Sequence, residues 1–270
     1  MKIQLFLNPD LNTSSLIADY IIESLDRTVQ VIKEEEIIGK ERIQGFISII
    51  NVEKKTSLDL LFVMDITGSM EPYLEEAKQN VINIINRIVM ECPGIDINMG
   101  FIGYRDVDET NNNDYVNIEF TKEYEKLEES IKNVYAKGGM GDGPEDVAWA
   151  MEMALYKEWK NNARFLIFIA DYPCNGLKYH NISTDHYPNG AENRRDMEEL
   201  IKELAENNIS LFCTKITKLT DIMYNIFQKI YNIYTNCIFK IVSMSPKQSL
   251  SDLVVNHASE VYISQRNRDT

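Results

Sequence analysis

The chain has 270 residues, with 28 Lys and Arg against 42 Asp and Glu, which gives a formal net charge of −14. This acidic balance argues against a surface for nucleic acid or anionic membranes and favours cations or basic partners. No apolar run approaches the length of a membrane span, and the N-terminal apolar stretch is too short for a signal-peptide core. We therefore expect a cytoplasmic protein that does not insert into membranes.

The first 57 residues differ in pattern from the rest of the chain. Apolar side chains recur at helical spacing over residues 16–32, which predicts an amphipathic helix. We expect residues 1–57 to form an N-terminal helical extension. The main domain is then expected over residues 58–264, followed by a C-terminal tail over residues 265–270.

From residue 58 onward, short apolar runs alternate with helical patterns. The runs at 60–64 and 164–170 lack polar alternation, which is typical of strands buried on both faces of a parallel sheet. The repeated strand and helix units predict an α/β fold with a mostly parallel, doubly wound sheet and helices on both faces. Predicted strands cover residues 60–64, 95–104, 115–120, 164–170, 209–216 and 237–242, and predicted helices cover 70–88, 124–135, the segment after 147, 194–206, 221–230 and 250–258.

The first apolar run ends in a group of oxygen-bearing side chains. Asp65, Thr67 and Ser69 follow it directly, and Gly68 allows a tight turn between them. Carboxylates and hydroxyls are the hard oxygen donors that suit Mg²⁺. The same residue types also cap helices, and Ser69 stands immediately before a helical pattern. This stretch alone leaves metal binding and helix capping equally open.

The second apolar run also ends in an aspartate, Asp171. Two parallel strands that each carry an Asp at the carboxyl end can be neighbours where a doubly wound sheet reverses its winding, and such folds bind ligands there. We therefore expect Asp65 and Asp171 to face one crevice. The glycine-rich loop 138–147 lacks the spacing of a dinucleotide fingerprint and the lysine of a P-loop. Its glycines are predicted to let Asp142 approach the same site.

Taken together, these segments resemble a von Willebrand factor A (VWA) domain, and the resemblance covers roughly residues 58–264. It is closest to the subgroup found in alpha-kinase-associated and hemicentin-type proteins. The resemblance implies a six-stranded, doubly wound, Rossmann-like sheet whose third strand is antiparallel. The motifs that carry it are DITGS at 65–69, GYRD at 103–106, GDGPEDV at 141–147 and ADYPCNG at 170–176.

The resemblance also implies a metal-ion-dependent adhesion site for Mg²⁺ or Mn²⁺. Thr67 and Ser69 are similar to its direct hydroxyl ligands, and Asp65 and Asp171 to acids that reach the ion largely through water. Where the family usually supplies a threonine from the middle loop, this chain offers Asp142. A third carboxylate would favour holding the cation but would weaken its attraction for an acidic residue of a partner.

The sequence therefore predicts a non-catalytic, metal-dependent protein-interaction module whose protein partner is not identified. No base is evident that would activate a nucleophile, and Ser69 lacks the G-x-S-x-G elbow. One alternative is a metal-dependent phosphohydrolase, in which Asp65 and Asp171 hold Mg²⁺ and Arg105 holds phosphate. The other is a regulatory module related to the alpha-kinase-linked VWA proteins.

Overall fold

The structure is a computed structural model that describes residues 57–91, 96–107, 115–139, 141–161 and 163–243. Apart from Ser57, which begins the first strand, the predicted N-terminal extension lies outside the described residues. The helix predicted at 250–258 and the C-terminal tail also lie outside them. The boundaries expected for the extension, main domain and tail therefore remain predictions.

The described residues form six strands and five helices. The strands are β1 (Ser57–Asp65), β2 (Asp96–Tyr104), β3 (Val116–Thr121), β4 (Ala163–Ala170), β5 (Ile209–Lys215) and β6 (Phe239–Ser243). The helices are α1 (Glu71–Glu91), α2 (Tyr124–Lys132), α3 (Val147–Tyr156), α4 (Met197–Glu206) and α5 (Asp221–Tyr231). In this part of the chain, no helix combines the length and apolar character that a membrane span needs.

The strands form one sheet in the order β3-β2-β1-β4-β5-β6. All neighbouring strands are parallel except β2 and β3, which are antiparallel. The chain moves outward from β1 to β3 and then returns to β4 beside β1, so the winding reverses between β1 and β4. The predicted doubly wound sheet with an antiparallel third strand is confirmed. Its switch point lies between the two strands that end in aspartates, where open α/β sheets bind their ligands.

Helices cover both faces of the sheet, which explains why β1 is apolar throughout its centre. Leu60 and Phe62 belong to a core shared with α1 and α2 on one face. Leu61 and Val63 belong to a second core shared with α3, α4 and α5 on the other face. All four side chains are fully buried, as expected for a parallel strand covered on both sides.

Two helices are shorter than predicted, α2 at its end and α4 at its start. The helix predicted over 124–135 ends at Lys132, whose carbonyl accepts a hydrogen bond from Lys78 Nζ at 2.9 Å. α4 begins at Met197, later than predicted, because the Asp196 side chain accepts hydrogen bonds from backbone N–H groups of the first turn. Such an N-cap fixes where a helix starts.

Candidate metal centre

The turn after β1 carries three of the predicted ligands in one hydrogen-bonded chain. Asp65 Oδ1 accepts hydrogen bonds from the Thr67 backbone N–H at 2.8 Å and from the Thr67 hydroxyl at 2.7 Å. The Thr67 and Ser69 hydroxyl oxygens are 3.1 Å apart. Ser69 Oγ donates to Asp171 Oδ1 at 3.1 Å, across the gap between β1 and β4. The structure thus brings Asp65, Thr67, Ser69 and Asp171 together.

The hydroxyl groups of this turn do not cap the following helix. Thr67 precedes a short 3₁₀ turn, Gly68–Met70, and its side chain makes no capping hydrogen bond there. The Ser69 hydroxyl contacts Thr67 and Asp171 instead. The sequence leaves metal binding and helix capping open, and these contacts do not support helix capping.

The two aspartates form a buried, mutually repelling pair. Asp65 is fully buried, and its Oδ2 atom has no hydrogen-bond partner among the described residues. Burial and, next, the Asp171 carboxylate raise the pKa of Asp65 to about 7. Burial also raises the pKa of Asp171. Two desolvated carboxylates of this kind are stabilised when a cation binds between them.

The spacing of these oxygen atoms fits a small divalent cation. Adjacent ligands of an octahedral ion with bonds of about 2.0–2.1 Å lie about 2.9 Å apart. In the hydrogen-bonded series, the side-chain oxygens of Asp65 and Thr67 are 2.7 Å apart, those of Thr67 and Ser69 are 3.1 Å apart, and those of Ser69 and Asp171 are 3.1 Å apart. Within the described ranges, no three or more His, Cys, Asp and Glu side chains form a ready metal site by themselves. A cation here would therefore need the hydroxyls of Thr67 and Ser69.

Asp142, the remaining predicted ligand, makes its contacts elsewhere. Its Oδ2 accepts a hydrogen bond from the His186 backbone N–H at 2.9 Å, and its carbonyl accepts one from the Thr184 hydroxyl at 2.8 Å. It does not cap α3 either, because that helix begins at Val147 and the Asp146 side chain caps it. Asp142 thus joins the glycine-rich loop to the loop that follows β4.

A buried acid of the glycine-rich loop lies near the Thr67 side chain. This residue, Glu145, is 3% exposed, and its Oε2 atom has no hydrogen-bond partner in the described structure. A Cβ atom added at Gly139 would lie 3.2 Å from Glu145 Oε1 and 3.3 Å from Thr67 Cβ, so the three residues converge. The signal available in the sequence was a second acid in the same glycine-rich motif.

Arg105 is the residue that the phosphohydrolase alternative requires to bind phosphate. It donates hydrogen bonds to backbone carbonyl groups and does not face solvent. It is 2% exposed. Its guanidinium donates to the carbonyls of Ile66, Lys137 and Tyr135, the last at 3.1 Å. The Tyr135 ring covers it at 5.4 Å from the guanidinium carbon. Arg105 thereby fixes the loop after α2 to the turn that carries Thr67.

The loop after β4 organises itself through His180 and Asp185. His180 Nδ1 accepts a hydrogen bond from the Ile182 N–H at 3.0 Å, and its Nε2 lies 3.2 Å from Asp185 Oδ2. Asp185 also accepts a hydrogen bond from the Gly176 N–H at 2.8 Å. Burial lowers the pKa of His180. These contacts give His180 a role in loop structure.

A cavity of about 570 Å³ lies beside this loop and not over the predicted ligands. Its wall includes Asn175, Tyr179, Arg194 and Arg195, together with the start of α4. Asp65, Thr67, Ser69, Asp142 and Asp171 are not among its lining residues. This cavity thus reaches Glu145 in the glycine-rich loop but none of the five predicted ligands.

The turn after β1 approaches the glycine-rich loop closely at Gly68, and a substitution there tests this contact. Its N–H donates to the Gly138 carbonyl at 3.0 Å, and a Cβ atom at Gly68 would lie 2.8 Å from that same oxygen. Gly68→Ala should therefore push the loop away, lowering stability by about 1–3 kcal/mol and weakening divalent-metal binding. Chemical denaturation and calorimetry measure the two effects.

Gly141→Ala is the matched control, because a Cβ there meets no atom within 4 Å, although its φ of +85° makes Ala strained. We expect a similar loss of stability, about 1 kcal/mol, with unchanged metal affinity. Equal metal affinities in both variants and the wild type would contradict the close approach at Gly68.

A doubly wound sheet with an oxygen-rich site at its switch point defines the class of open α/β domains that bind at the carboxyl ends of their strands. A family model for the von Willebrand factor A domain matches residues 59–175. The alpha-protein kinase vwkA of Dictyostelium discoideum is 31% identical over 199 residues, covering 73% of this chain and 31% of the kinase. This chain thus spans about a third of the length of that curated relative.

Solved structures share the fold at low sequence identity. The VWA domain of SpRpn10 has a TM-score of 0.50 and 17% identity, covering 73% of this chain and 93% of that one. The pilus adhesin SpaC of Lactobacillus rhamnosus GG, in its open conformation, has a TM-score of 0.55 and 13% identity, covering 78% and 30%. The chain contains a von Willebrand factor A domain, as its motifs predicted. Domains of this family typically mediate protein interactions and are generally not enzymes.

Proposed function

We propose that this chain is a non-catalytic protein-interaction module that binds its partner through a divalent cation, Mg²⁺ or Mn²⁺. Thr67 and Ser69 would supply hydroxyl oxygens, and Asp65 and Asp171 would supply negative charge. The ion would neutralise these acids and join the ends of β1 and β4. The free, buried thiols of Cys174 and Cys213 support action in the cytoplasm, where thiols stay reduced.

The observation that carries the proposal is the unpartnered Oδ2 atom of Asp65, fully buried at the switch point. A buried charge without a partner is strongly destabilising unless a cation or a proton compensates it. The neighbouring hydroxyls are separated by the spacing of adjacent octahedral ligands. A divalent ion accounts for both features.

Calorimetric titration tests the proposal. Wild-type protein should bind Mg²⁺ and Mn²⁺, and saturating Mg²⁺ should raise the melting temperature above that in EDTA, because the ion binds only the folded form. Ser69→Ala should weaken binding about tenfold or more, because it removes one ligand oxygen. EDTA and Ser69→Ala should each also reduce capture of the partner protein.

Ser210→Ala provides the control, since this buried hydroxyl on β5 accepts a hydrogen bond from the Ile238 N–H and lies away from the proposed ligands. It should lower stability slightly and leave metal affinity unchanged. Identical metal titrations for Ser69→Ala and wild-type protein would contradict the proposal.

The phosphohydrolase alternative loses support because the guanidinium of Arg105 is directed at three carbonyl groups. Metal-dependent hydrolysis of p-nitrophenyl phosphate that disappears in Asp171→Ala would nevertheless establish catalysis and overturn the non-catalytic proposal.

A regulatory role beside a kinase is the second candidate, and the similarity to an alpha-protein kinase favours it. The chain would then act as the interaction part of a kinase-linked system. Capture experiments with and without EDTA distinguish this role, because it requires an alpha-kinase catalytic domain among the metal-dependent partners.

A further inference from the structure

The Glu145 carboxylate is held at the candidate metal centre by its own backbone. The Glu145 N–H donates to the Pro173 carbonyl at 3.0 Å, and the Glu145 carbonyl accepts from the Asn175 N–H at 3.3 Å. These bonds form a parallel bridge between Glu145 and Cys174. The bridge ties the residue to the loop that begins at Asp171. Its side chain therefore extends from a fixed point toward the turn after β1.

At that point the carboxylate lies near Thr67 and other acids. Glu145 Oε1 and the Thr67 Cβ atom lie 3.2 and 3.3 Å from the position that a Cβ atom added at Gly139 would take, and Asp65 and Asp106 act on Glu145 as neighbouring negative charges. The Glu145 Oε2 atom has no hydrogen-bond partner among the described residues.

Asp142 is engaged differently, although it lies in the same loop. Its side-chain oxygen Oδ2 accepts the His186 N–H, and His186 Nδ1 lies 3.5 Å away. Asp142 is thus satisfied by a loop contact, whereas Glu145 is buried with an unsatisfied oxygen. A buried polar atom without a partner needs a ligand, a water or an ion to explain it.

We infer that Glu145, and not Asp142, is the third acidic residue of the metal centre, where its buried carboxylate lies beside Thr67 and adds negative charge near the ion. The inference rests on the proposed function. Residues that surround the direct ligands of a metal ion tune its binding, and their loss typically costs about 10–100-fold in metal affinity. The glycine-rich loop 138–147 would then contribute Glu145 to the metal centre. Its glycines would allow the close approach at Gly139.

If Glu145 belongs to the metal centre, its replacement should weaken metal binding but should not destabilise the metal-free protein. Glu145→Gln keeps the size and hydrogen-bonding reach of the side chain but removes the carboxylate from a group of repelling acids. In EDTA its melting temperature should equal or exceed that of the wild type. Its Mg²⁺ affinity by calorimetry should fall about 10–100-fold. A merely structural residue would lower the melting temperature and leave metal affinity alone.

Asp142→Asn is the matched control from the same loop. It weakens the hydrogen bond to the His186 N–H, so its melting temperature in EDTA should fall, while its Mg²⁺ affinity should stay within about twofold of the wild type. Glu145→Asp serves as a second variant should Glu145→Gln fail to fold. It retains a carboxylate but withdraws it from Thr67 by one methylene group, and its Mg²⁺ affinity should fall several-fold.

The outcomes separate the inference from the function on which it rests. Absence of Mg²⁺ uptake by wild-type protein would overturn the proposed function and the inference together. Uptake that Glu145→Gln and Glu145→Asp leave unchanged would overturn the inference alone. An equal loss of affinity in Asp142→Asn and Glu145→Gln would also overturn it, because general damage to the loop would then explain the effect.

Discussion

Asp65→Ala should reduce Mg²⁺ affinity by about 100-fold or more in a calorimetric titration. The variant loses an acid at the switch point and also the acceptor that fixes the Thr67 backbone N–H and hydroxyl. Loss of a group that orients metal ligands reaches about 100-fold on its own, and here a nearby negative charge disappears as well. The metal-induced rise in melting temperature should vanish with the affinity.

Asp59 offers a control on the same strand, at the opposite end of β1. It is also fully buried, and its carboxylate accepts hydrogen bonds from the Asn98 side chain and from the Lys160 and Asn161 backbone N–H groups. Asp59→Ala should destabilise the fold without changing metal affinity. If the two variants bound Mg²⁺ equally well, the ion would not lie at the carboxyl end of β1.

Arg105→Ala should lower the free energy of unfolding by about 3 kcal/mol or more, measured by chemical denaturation in EDTA. It removes the buried guanidinium and its hydrogen bonds to the carbonyl groups of Ile66, Lys137 and Tyr135. Of these, the Ile66 carbonyl keeps the Lys137 N–H as a second donor. Each group left unsatisfied costs about 1–3 kcal/mol. The variant also removes a positive charge that lowers the pKa of Asp65.

Arg164 provides the comparison, because its guanidinium also donates to backbone carbonyls, those of Asn161 and Asn207, but it is only half-buried. Arg164→Ala should cost about 1 kcal/mol, since water can replace the lost donor. An Arg105→Ala protein as stable as the wild type would mean that the carbonyl contacts are weak. The guanidinium would then again be a candidate for holding phosphate.

Much of the fold follows from local sequence pattern. β1 and β4 were recognisable because strands covered on both faces have no solvent side and therefore lack polar alternation. Their shared ending in Asp65 and Asp171 indicated neighbouring strands, and the sheet register confirms that they pair. The end of α2 was not predictable in the same way, because Lys78, on another helix, sets it.

The candidate site was only partly predictable for a related reason. Asp65, Thr67 and Ser69 lie in one short turn, so chain connectivity alone keeps them close. Asp142 and Glu145 belong to one motif. No local sequence pattern shows which of these two side chains lies near the turn after β1.

The sequence by itself determined the class of sheet and the pairing of the two strands that end in Asp65 and Asp171, because strands buried on both faces show uninterrupted apolar runs. Only the tertiary structure decided the direction of each loop side chain. Asp142 is held by a backbone N–H 44 residues away, and Glu145 is held by the bridge to Cys174. Arg105 likewise finds its carbonyl acceptors up to 39 residues away. Hydrogen bonds between segments so distant in sequence depend on the assembled sheet, which brings their loops to one edge.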